Sequence, residues 1–153
     1  MKKGIALVLL AVMLLSLSAC GEEKAAEPVN LEELYQSFSA RLPEMILLDE
    51  GTMLNFTGIQ SQDCAQYVVA ICAEGLRADE VWLIEAKDAD ALSRIQKLAD
   101  TRIQAKLEET EFYVPDQYPV VQKAEVLTKG MYLALLISPD VDALKEEVEK
   151  ALS

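Results

Sequence analysis

The stretch that decides the fold is EVWLIEA, residues 80–86. In an extended strand, successive side chains point to opposite faces of the sheet. Trp82 and Ile84 would then point to one face. Val81 and Leu83 would point to the other. An antiparallel strand with one solvated face alternates apolar with polar residues, and this stretch does not. We therefore expect it to form a strand in the middle of a sheet whose two faces are both covered.

The segments around this strand predict a small antiparallel sheet. Its four predicted strands pair as two hairpins, 66–73 with 80–86 and 121–128 with 131–137. Gly75 marks the loop of the first hairpin, and Lys129-Gly130 suits the tight turn of the second. Residues 131–137 are also apolar on both faces, so we expect this strand to lie in the interior of the sheet as well.

Helices are predicted before and after the hairpins, over residues 31–42, 88–110 and 140–152. Asn30 is a good N-cap for the first helix. Asp88 is expected to cap the longest one, whose apolar residues recur every three or four positions. The segment 44–58 has a weaker pattern, in which Asp49 and Gly58 suit the start and the end of a short helix.

The order helix, ββα, ββα predicts an α+β fold, with a four-stranded antiparallel sheet packed against helices and preceded by an N-terminal helix. We expect the helices 88–110 and 140–152 to cover one face of the sheet, which makes a two-layer sandwich. The other face needs cover too. We expect the helix 31–42 and the segment 44–58 to supply it, in preference to an open docking surface.

The N-terminal residues are typical of a secretory signal, because Lys2 and Lys3 precede an apolar run that ends at Leu17. The run continues into Leu-Ser-Ala-Cys, residues 17–20, which resembles the lipobox of bacterial lipoproteins. Cleavage before Cys20 and acylation of its sulfur would leave a lipid anchor. The alternatives are an uncleaved transmembrane helix, for which the run is short, and an ordinary secretory signal in which Cys20 has no role.

This interpretation divides the chain into a signal peptide (1–19), a lipidated tether (20–29) and a single α+β domain (30–153). It predicts a protein held by lipid on the extracytoplasmic face of the cell membrane. Loss of residues 1–19 would change the net charge from −12 to −14. Such a surface repels phosphate backbones and anionic headgroups. We therefore expect no nucleic-acid partner and expect the lipid, not charge, to hold the protein at the membrane.

The cysteines that remain after lipidation are Cys64 and Cys72. We expect Cys72 within the strand 66–73 and Cys64 just before it. Eight residues of extended chain span about 26 Å, whereas a disulfide joins Cα atoms about 6 Å apart. Two buried free thiols are therefore expected in preference to a disulfide.

The composition leaves few catalytic arrangements. The chain has no histidine, so Ser-His and Cys-His pairs and zinc sites that need histidine do not arise. The pairs Asp88-x-Asp90 and Asp140-x-Asp142 suit helix starts better than Ca²⁺ or Mg²⁺ binding. We assign no catalytic residue, no metal and no cofactor. An acid-only hydrolase stays the least favoured alternative, because nothing selects two carboxylates among the 26 acidic residues.

Two places in the domain are candidate sites. Glu80 begins an otherwise apolar strand, and Arg102 lies beside the apolar stripe of the long helix, so the two could form an ion pair between sheet and helix; the alternative is that both lie in water at the edge of the layer. The second place is the loop 113–119, with Tyr113, Pro115 and Tyr118. Exposed aromatic residues beside proline are common at recognition surfaces, but the tyrosines could instead pack the loop onto the core.

A set of short motifs resembles the family defined by domain of unknown function 4358. The motifs are Leu54-Asn55-Phe56-Thr57-Gly58-Ile59, Ala78-Asp79-Glu80-Val81, Arg102, Tyr113-x-Pro115 and Gly130-Met131-Tyr132-Leu133. The similarity runs from about Leu31 to Leu152. It implies a lipoprotein of low-GC Gram-positive bacteria on the outer face of the cytoplasmic membrane. It implies no activity and no functional residue, because none is defined for the family.

The sequence favours a membrane-anchored, non-enzymatic binding or interaction module. Its partner would be a peptide, a wall fragment or an envelope protein. The alternative is a structural or accessory subunit of a cell-envelope complex that docks through a sheet face or the loop 113–119.

Overall fold

The computed structural model describes residues 28–153 of the chain. Within this range the strands are β1 (Met45–Leu47), β2 (Cys64–Cys72), β3 (Glu80–Ala86), β4 (Glu125–Lys129) and β5 (Tyr132–Ile137). The helices are α1 (Leu31–Phe38), α2 (Glu50–Thr57), α3 (Ala89–Tyr113), α4 (Tyr118–Val121) and α5 (Val141–Ala151). The predicted signal peptide, Cys20 and most of the predicted tether lie outside the described residues. In the described range, no helix has the length and apolar character that a membrane span requires.

The strands form one antiparallel sheet in the order β1-β2-β3-β5-β4, with β3 in the middle. Both predicted hairpins are present, because β2 pairs with β3 and β4 pairs with β5. Gly130 turns the second hairpin with φ 58°, a value that glycine adopts at no steric cost. The two apolar faces of residues 80–86 predicted a strand in the middle of the sheet, and this prediction is confirmed.

Each face of β3 packs against its own helices. Trp82 and Ile84 belong to the core beneath α3. Val81 and Leu83 belong to the core against α1 and α5. All four side chains are at most 1% exposed. The prediction that both faces are covered is confirmed, and the domain has three layers, not two.

The distribution of helices over the two faces differs from the prediction. The helix after β5, α5, shares the Val81 face with α1, whereas α3 covers the opposite face together with α2. The expectation that α3 and α5 lie on the same face is therefore wrong, and so is the expectation that α2, in the segment 44–58, shares the other face with α1. Because β3 and β5 are apolar on both sides, neither strand shows to which face its following helix turns.

The sheet has five strands, so the predicted four-stranded sheet is also corrected. The additional strand, β1, is three residues long and pairs with β2 alone. Ile46 and Leu47 are each 50% exposed at this edge. A strand of this length is too short to show the alternation by which strands are recognised.

The connection between α3 and β4 is more helical than predicted. The helix α3 continues to Tyr113, and α4 occupies the start of the segment predicted as the strand 121–128. Val121 is buried on the α3 face of the sheet as part of this short helix. A short apolar run does not by itself distinguish a strand from a buried helical turn. The sequence therefore predicted a strand from Val121, whereas β4 begins at Glu125.

Capping side chains fix where the first three helices begin. Asn30, Asp49 and Asp88 each accept hydrogen bonds from backbone N–H groups in the first turn of α1, α2 and α3, respectively. Gly58 ends α2 with φ 78°, and a Cβ atom there would lie 3.1 Å from a methyl group of Leu98. The predicted caps and the predicted short helix in the segment 44–58 are therefore confirmed.

Both cysteines of the described domain are free and buried, at the two ends of β2. Burial, reinforced by the negative charge of Asp63, raises the pKa of the Cys64 thiol to about 11. At pH 8 only about one Cys64 in a thousand is then a thiolate, which is the reactive form.

We expect Cys64 and Cys72 to resist alkylation in the native protein and to react fully in denaturant without any reductant. Peptide mass spectrometry after treatment with iodoacetamide measures this at each cysteine. A Cys64–Cys72 crosslinked peptide, or alkylation in denaturant only after reduction, would contradict the prediction.

Candidate binding site

Glu80 is the centre of a buried ion network between the sheet and α3. Arg102 donates from Nε to Oε1 at 3.0 Å and from Nη2 to Oε2 at 2.9 Å. Lys106 Nζ lies 3.2 Å from Oε2, and Trp82 Nε1 donates to Oε1 at 2.7 Å. The Glu80 side chain has no exposed surface, and those of Arg102 and Lys106 are 22% and 11% exposed. Each carboxylate oxygen therefore meets donors from two residues.

The regular spacing of strand and helix places these four side chains together. Glu80 and Trp82 point to the same face because they are two residues apart on a strand. Arg102 and Lys106 are four residues apart on α3 and therefore lie on the same side of the helix. The predicted partners Glu80 and Arg102 do meet. Lys106 and Trp82 were not predicted, although both spacings could have pointed to them.

Asp79, directly before this network, is a buried carboxylate with an unsatisfied oxygen. It is 1% exposed, and its Oδ2 accepts from Arg77 Nε at 3.0 Å. This hydrogen bond raises the pKa of Arg77. The other oxygen, Oδ1, has no hydrogen-bond partner among the described residues. A buried acceptor without a donor is costly, so Asp79 is the polar group in this region that most needs a further partner.

A partly open cavity of about 310 Å³ lies over these groups, and we call it the hairpin cavity. It is bounded by the β2–β3 loop, residues 74–79, and by one side of α3 from Arg102 to Thr110. Six charged residues line it: Glu74, Arg77, Asp79, Arg102, Lys106 and Glu109. Acidic and basic side chains are equally represented, so the lining offers both signs of charge at close range.

The rim of the hairpin cavity is apolar and partly in water. Phe56, near the end of α2, is 51% exposed, and Leu76, in the β2–β3 loop, is 74% exposed. Ile71 and Val114 add apolar surface to the lining. Two large side chains that each expose half or more of their surface at the mouth of a cavity are typical of a binding site.

The predicted interaction loop, residues 113–119, lies beside this cavity, and Val114 is the residue of the loop that lines it. Tyr113 is the last residue of α3 and is 82% exposed, so it does not pack onto the core. Pro115 is exposed at the start of a 3₁₀ turn, and Tyr118 is half-buried at the start of α4. Gln117 holds the loop to the β2–β3 hairpin, because its Oε1 accepts from the Ala78 N–H at 3.1 Å.

The described residues contain no group of three or more Asp, Glu and Cys side chains arranged to hold a metal ion. The acidic pairs noted in the sequence stand at helix starts. Asp88 caps α3 through its side chain, and Asp140 precedes α5.

These observations define a class of protein, a three-layer α+β domain with an amphipathic cavity over a buried ion network. The chain belongs to the family described as domain of unknown function, DUF4358, whose model matches residues 38–138. The match includes all five strands and every charged residue of the hairpin cavity. Neither a curated protein nor a solved structure matches the chain.

Proposed function

We propose that this protein is a lipid-anchored, extracytoplasmic binding module, and that the hairpin cavity is its binding site. The observation that carries the proposal is Asp79 Oδ1, a buried acceptor without a donor in the lining of a cavity with an apolar rim. A ligand that donates a hydrogen bond to this oxygen would remove its desolvation cost, and the rim would hold the apolar part of the ligand.

A binding role fits the ion network better than an enzymatic one. A general base needs a lone pair within reach of the proton that it removes. The Glu80 carboxylate has its oxygens occupied by Arg102, Lys106 and Trp82, and none of its surface is exposed. It therefore acts as a fixed counter-ion that holds two cationic side chains in place at the cavity.

The contacts of Val29, at the start of the described domain, favour a partner in the aqueous envelope. Gln66 Nε2 donates to the Val29 carbonyl at 2.8 Å, and the Val29 N–H donates to the Tyr132 hydroxyl at 3.2 Å. These contacts fasten the start of the domain to one end of the sheet. The hairpin cavity lies beyond Cys72 at the other end, six residues or about 20 Å along β2. The cavity therefore lies at the end of the sheet opposite to the point where the proposed tether joins the domain.

Attachment is tested with Cys20→Ala. We expect this variant to lose all incorporation of an alkyne fatty acid, since the lipobox cysteine is the acyl acceptor in this proposal. In-gel fluorescence of labelled cells measures incorporation, and membrane fractionation measures release. Cys72→Ala is the matched control and should keep its label. Label that survives Cys20→Ala would remove the lipid anchor from the proposal.

Binding is tested by a thermal-shift screen of peptides, wall fragments and sugars. A ligand at about a hundred times its Kd should raise the Tm by about 5–10 °C. We expect the shift to disappear in Phe56→Ala, which removes part of the cavity rim. Leu54→Ala is the matched control, because Leu54 is 47% exposed on the same helix and does not line the cavity. A shift that is equal in both variants would place the binding site elsewhere.

A second candidate function is docking to an envelope complex. It is favoured by Phe112 and Tyr113, which are 75% and 82% exposed at the end of α3. Pull-down of tagged protein from native membranes compares the two candidates. Loss of a captured partner in a Phe112→Ser, Tyr113→Ser variant, with capture unchanged in Phe56→Ala, would favour docking over ligand binding.

A further inference from the structure

The lining of the hairpin cavity has unused hydrogen-bonding groups of both kinds. Asp79 Oδ1 accepts nothing from the described residues. Arg77 uses only Nε, for Asp79, and Arg102 uses Nε and Nη2, for Glu80. Both Nη atoms of Arg77 and the Nη1 atom of Arg102 thus make no hydrogen bond within the described domain. The cavity offers one buried acceptor that lacks a donor and partly exposed guanidinium N–H groups that are free to bind an acceptor.

Guanidinium groups bind carboxylates with short, charge-assisted hydrogen bonds, often two at a time. A carboxylate in the ligand would therefore satisfy Arg77 or Arg102. The acceptor Asp79 Oδ1 requires a hydrogen on the ligand, and a charged or amide nitrogen supplies it. Because the guanidinium groups and Asp79 Oδ1 line the same cavity, we infer that the carboxylate and the nitrogen of the ligand belong to the same small unit.

The charge balance of the lining supports a ligand with both signs. Three acidic and three basic residues line the cavity. A ligand of one sign would meet as many like charges as unlike ones, and the like charges would lower its affinity. A zwitterion can place each of its charges against the opposite one. The cavity is close to the lower limit of ligand-site volumes, about 300 Å³, and this favours a small ligand.

We propose, on the basis of the function proposed above, that the hairpin cavity binds an apolar α-amino acid unit with a free carboxylate. The carboxylate lies against the guanidinium groups of Arg77 and Arg102. The nitrogen of the unit donates to Asp79 Oδ1. The apolar side chain contacts Leu76 and Phe56. A free amino acid and the C-terminal residue of a peptide share this chemistry.

Isothermal titration calorimetry of the full mature protein tests the proposal with five matched probes. Leucine and the dipeptide Ala-Leu carry every recognised group. Leucinamide lacks the carboxylate, 4-methylpentanoate lacks the nitrogen and glycine lacks the apolar side chain. We expect leucine or Ala-Leu to bind about tenfold or more tightly than each probe that lacks a group. Binding of leucine alone identifies a free amino acid, and tighter binding of Ala-Leu identifies a peptide end.

Variants at one exposed and one buried position of the lining locate the site. Leu76→Ser should weaken binding of the better probe about tenfold, because it removes the exposed apolar wall. Leu47→Ser is the matched control: Leu47 is 50% exposed on β1 and does not line the cavity. Asp79→Asn should weaken binding by a similar factor, and circular dichroism checks that this buried variant is folded. Equal loss in Leu76→Ser and Leu47→Ser would overturn the proposal.

The remaining outcomes separate this inference from the proposed function. Leucinamide or 4-methylpentanoate that binds as well as leucine would overturn the amino-acid assignment. If none of the five probes binds but another compound gives a thermal shift that depends on Phe56, the assignment fails and the cavity remains a binding site. If no compound gives such a shift, both are rejected.

Discussion

Deletion of residues 30–43 should abolish the cooperative thermal transition of the domain and cause it to aggregate. The helix α1 inserts four side chains into the core on one face of the sheet: Leu31, Leu34, Tyr35 and Phe38, each at most 6% exposed. Without them, Val81 and Leu83 at the centre of the sheet would keep only α5 as cover on this face. The exposed apolar patch would exceed the few hundred Å² that soluble monomers tolerate. Differential scanning calorimetry and size-exclusion chromatography measure the two effects.

A graded version of this experiment isolates packing from chain length. Phe38 is fully buried, and its ring lies 5.8 Å from the ring of Tyr35 in an edge-to-face arrangement. Phe38→Ala should lower the free energy of unfolding by about 3–5 kcal/mol. Gln36→Ala, an exposed position of the same helix, should change it by less than about 0.5 kcal/mol. A truncated domain that stays monomeric with unchanged melting would show that something else covers this face.

The parts of the fold that the sequence predicts are those that depend on local pattern. The stretch 80–86 is apolar at alternate positions on both sides, and only an interior strand with two covered faces satisfies such a pattern. Asn30, Asp49 and Asp88 cap the helices that follow them, since capping needs only a side-chain oxygen next to a helix start. The strand β1 could not be predicted, because three residues with one partner show no period.

The assignment of helices to faces depends on long-range packing. The sequence shows that the two faces of β5 are equally apolar, so α5 could pack on either one. In the structure, α5 joins α1 on one face, and α3, the longest helix, crosses the other. The face on which α5 packs depends on how the helices together cover the sheet. The sequence of β3 or β5 alone does not contain that information.

The candidate site also has one part that local sequence pattern predicts and another that it does not. A glutamate at the start of an apolar strand and an arginine beside an apolar helix stripe predict an ion pair, and Glu80 and Arg102 form one. The hairpin cavity was not predicted, since its wall combines the β2–β3 loop with Phe56 from α2 and Val114 after α3. The unsatisfied Asp79 oxygen was missed for the same reason, because a missing partner becomes visible only when all neighbours are in place.

Arg102→Met should lower the free energy of unfolding by about 2–4 kcal/mol, since it removes the Arg102 hydrogen bonds and one of two cations from the fully buried Glu80 carboxylate. Urea denaturation, monitored by the fluorescence of Trp82, measures this loss of stability. Arg94→Met is the matched control: Arg94 also lies on α3 and also binds a carboxylate with two hydrogen bonds, those to Asp63, but its side chain is 54% exposed. Solvent screening should keep its effect within the error of the measurement.

The double variant Glu80→Leu, Arg102→Leu separates stability from function. Replacement of a buried ion pair by apolar residues is often neutral or stabilising, so most of the stability that Arg102→Met loses should return. Ligand binding to the hairpin cavity should not return, because the variant lacks the guanidinium group that Arg102 contributes to the lining. A stable double variant that binds the ligand as well as the wild type would mean that the ion network serves the fold alone. A double variant as unstable as Arg102→Met would mean that Glu80 also stabilises Lys106 and Trp82, both of which contact its carboxylate.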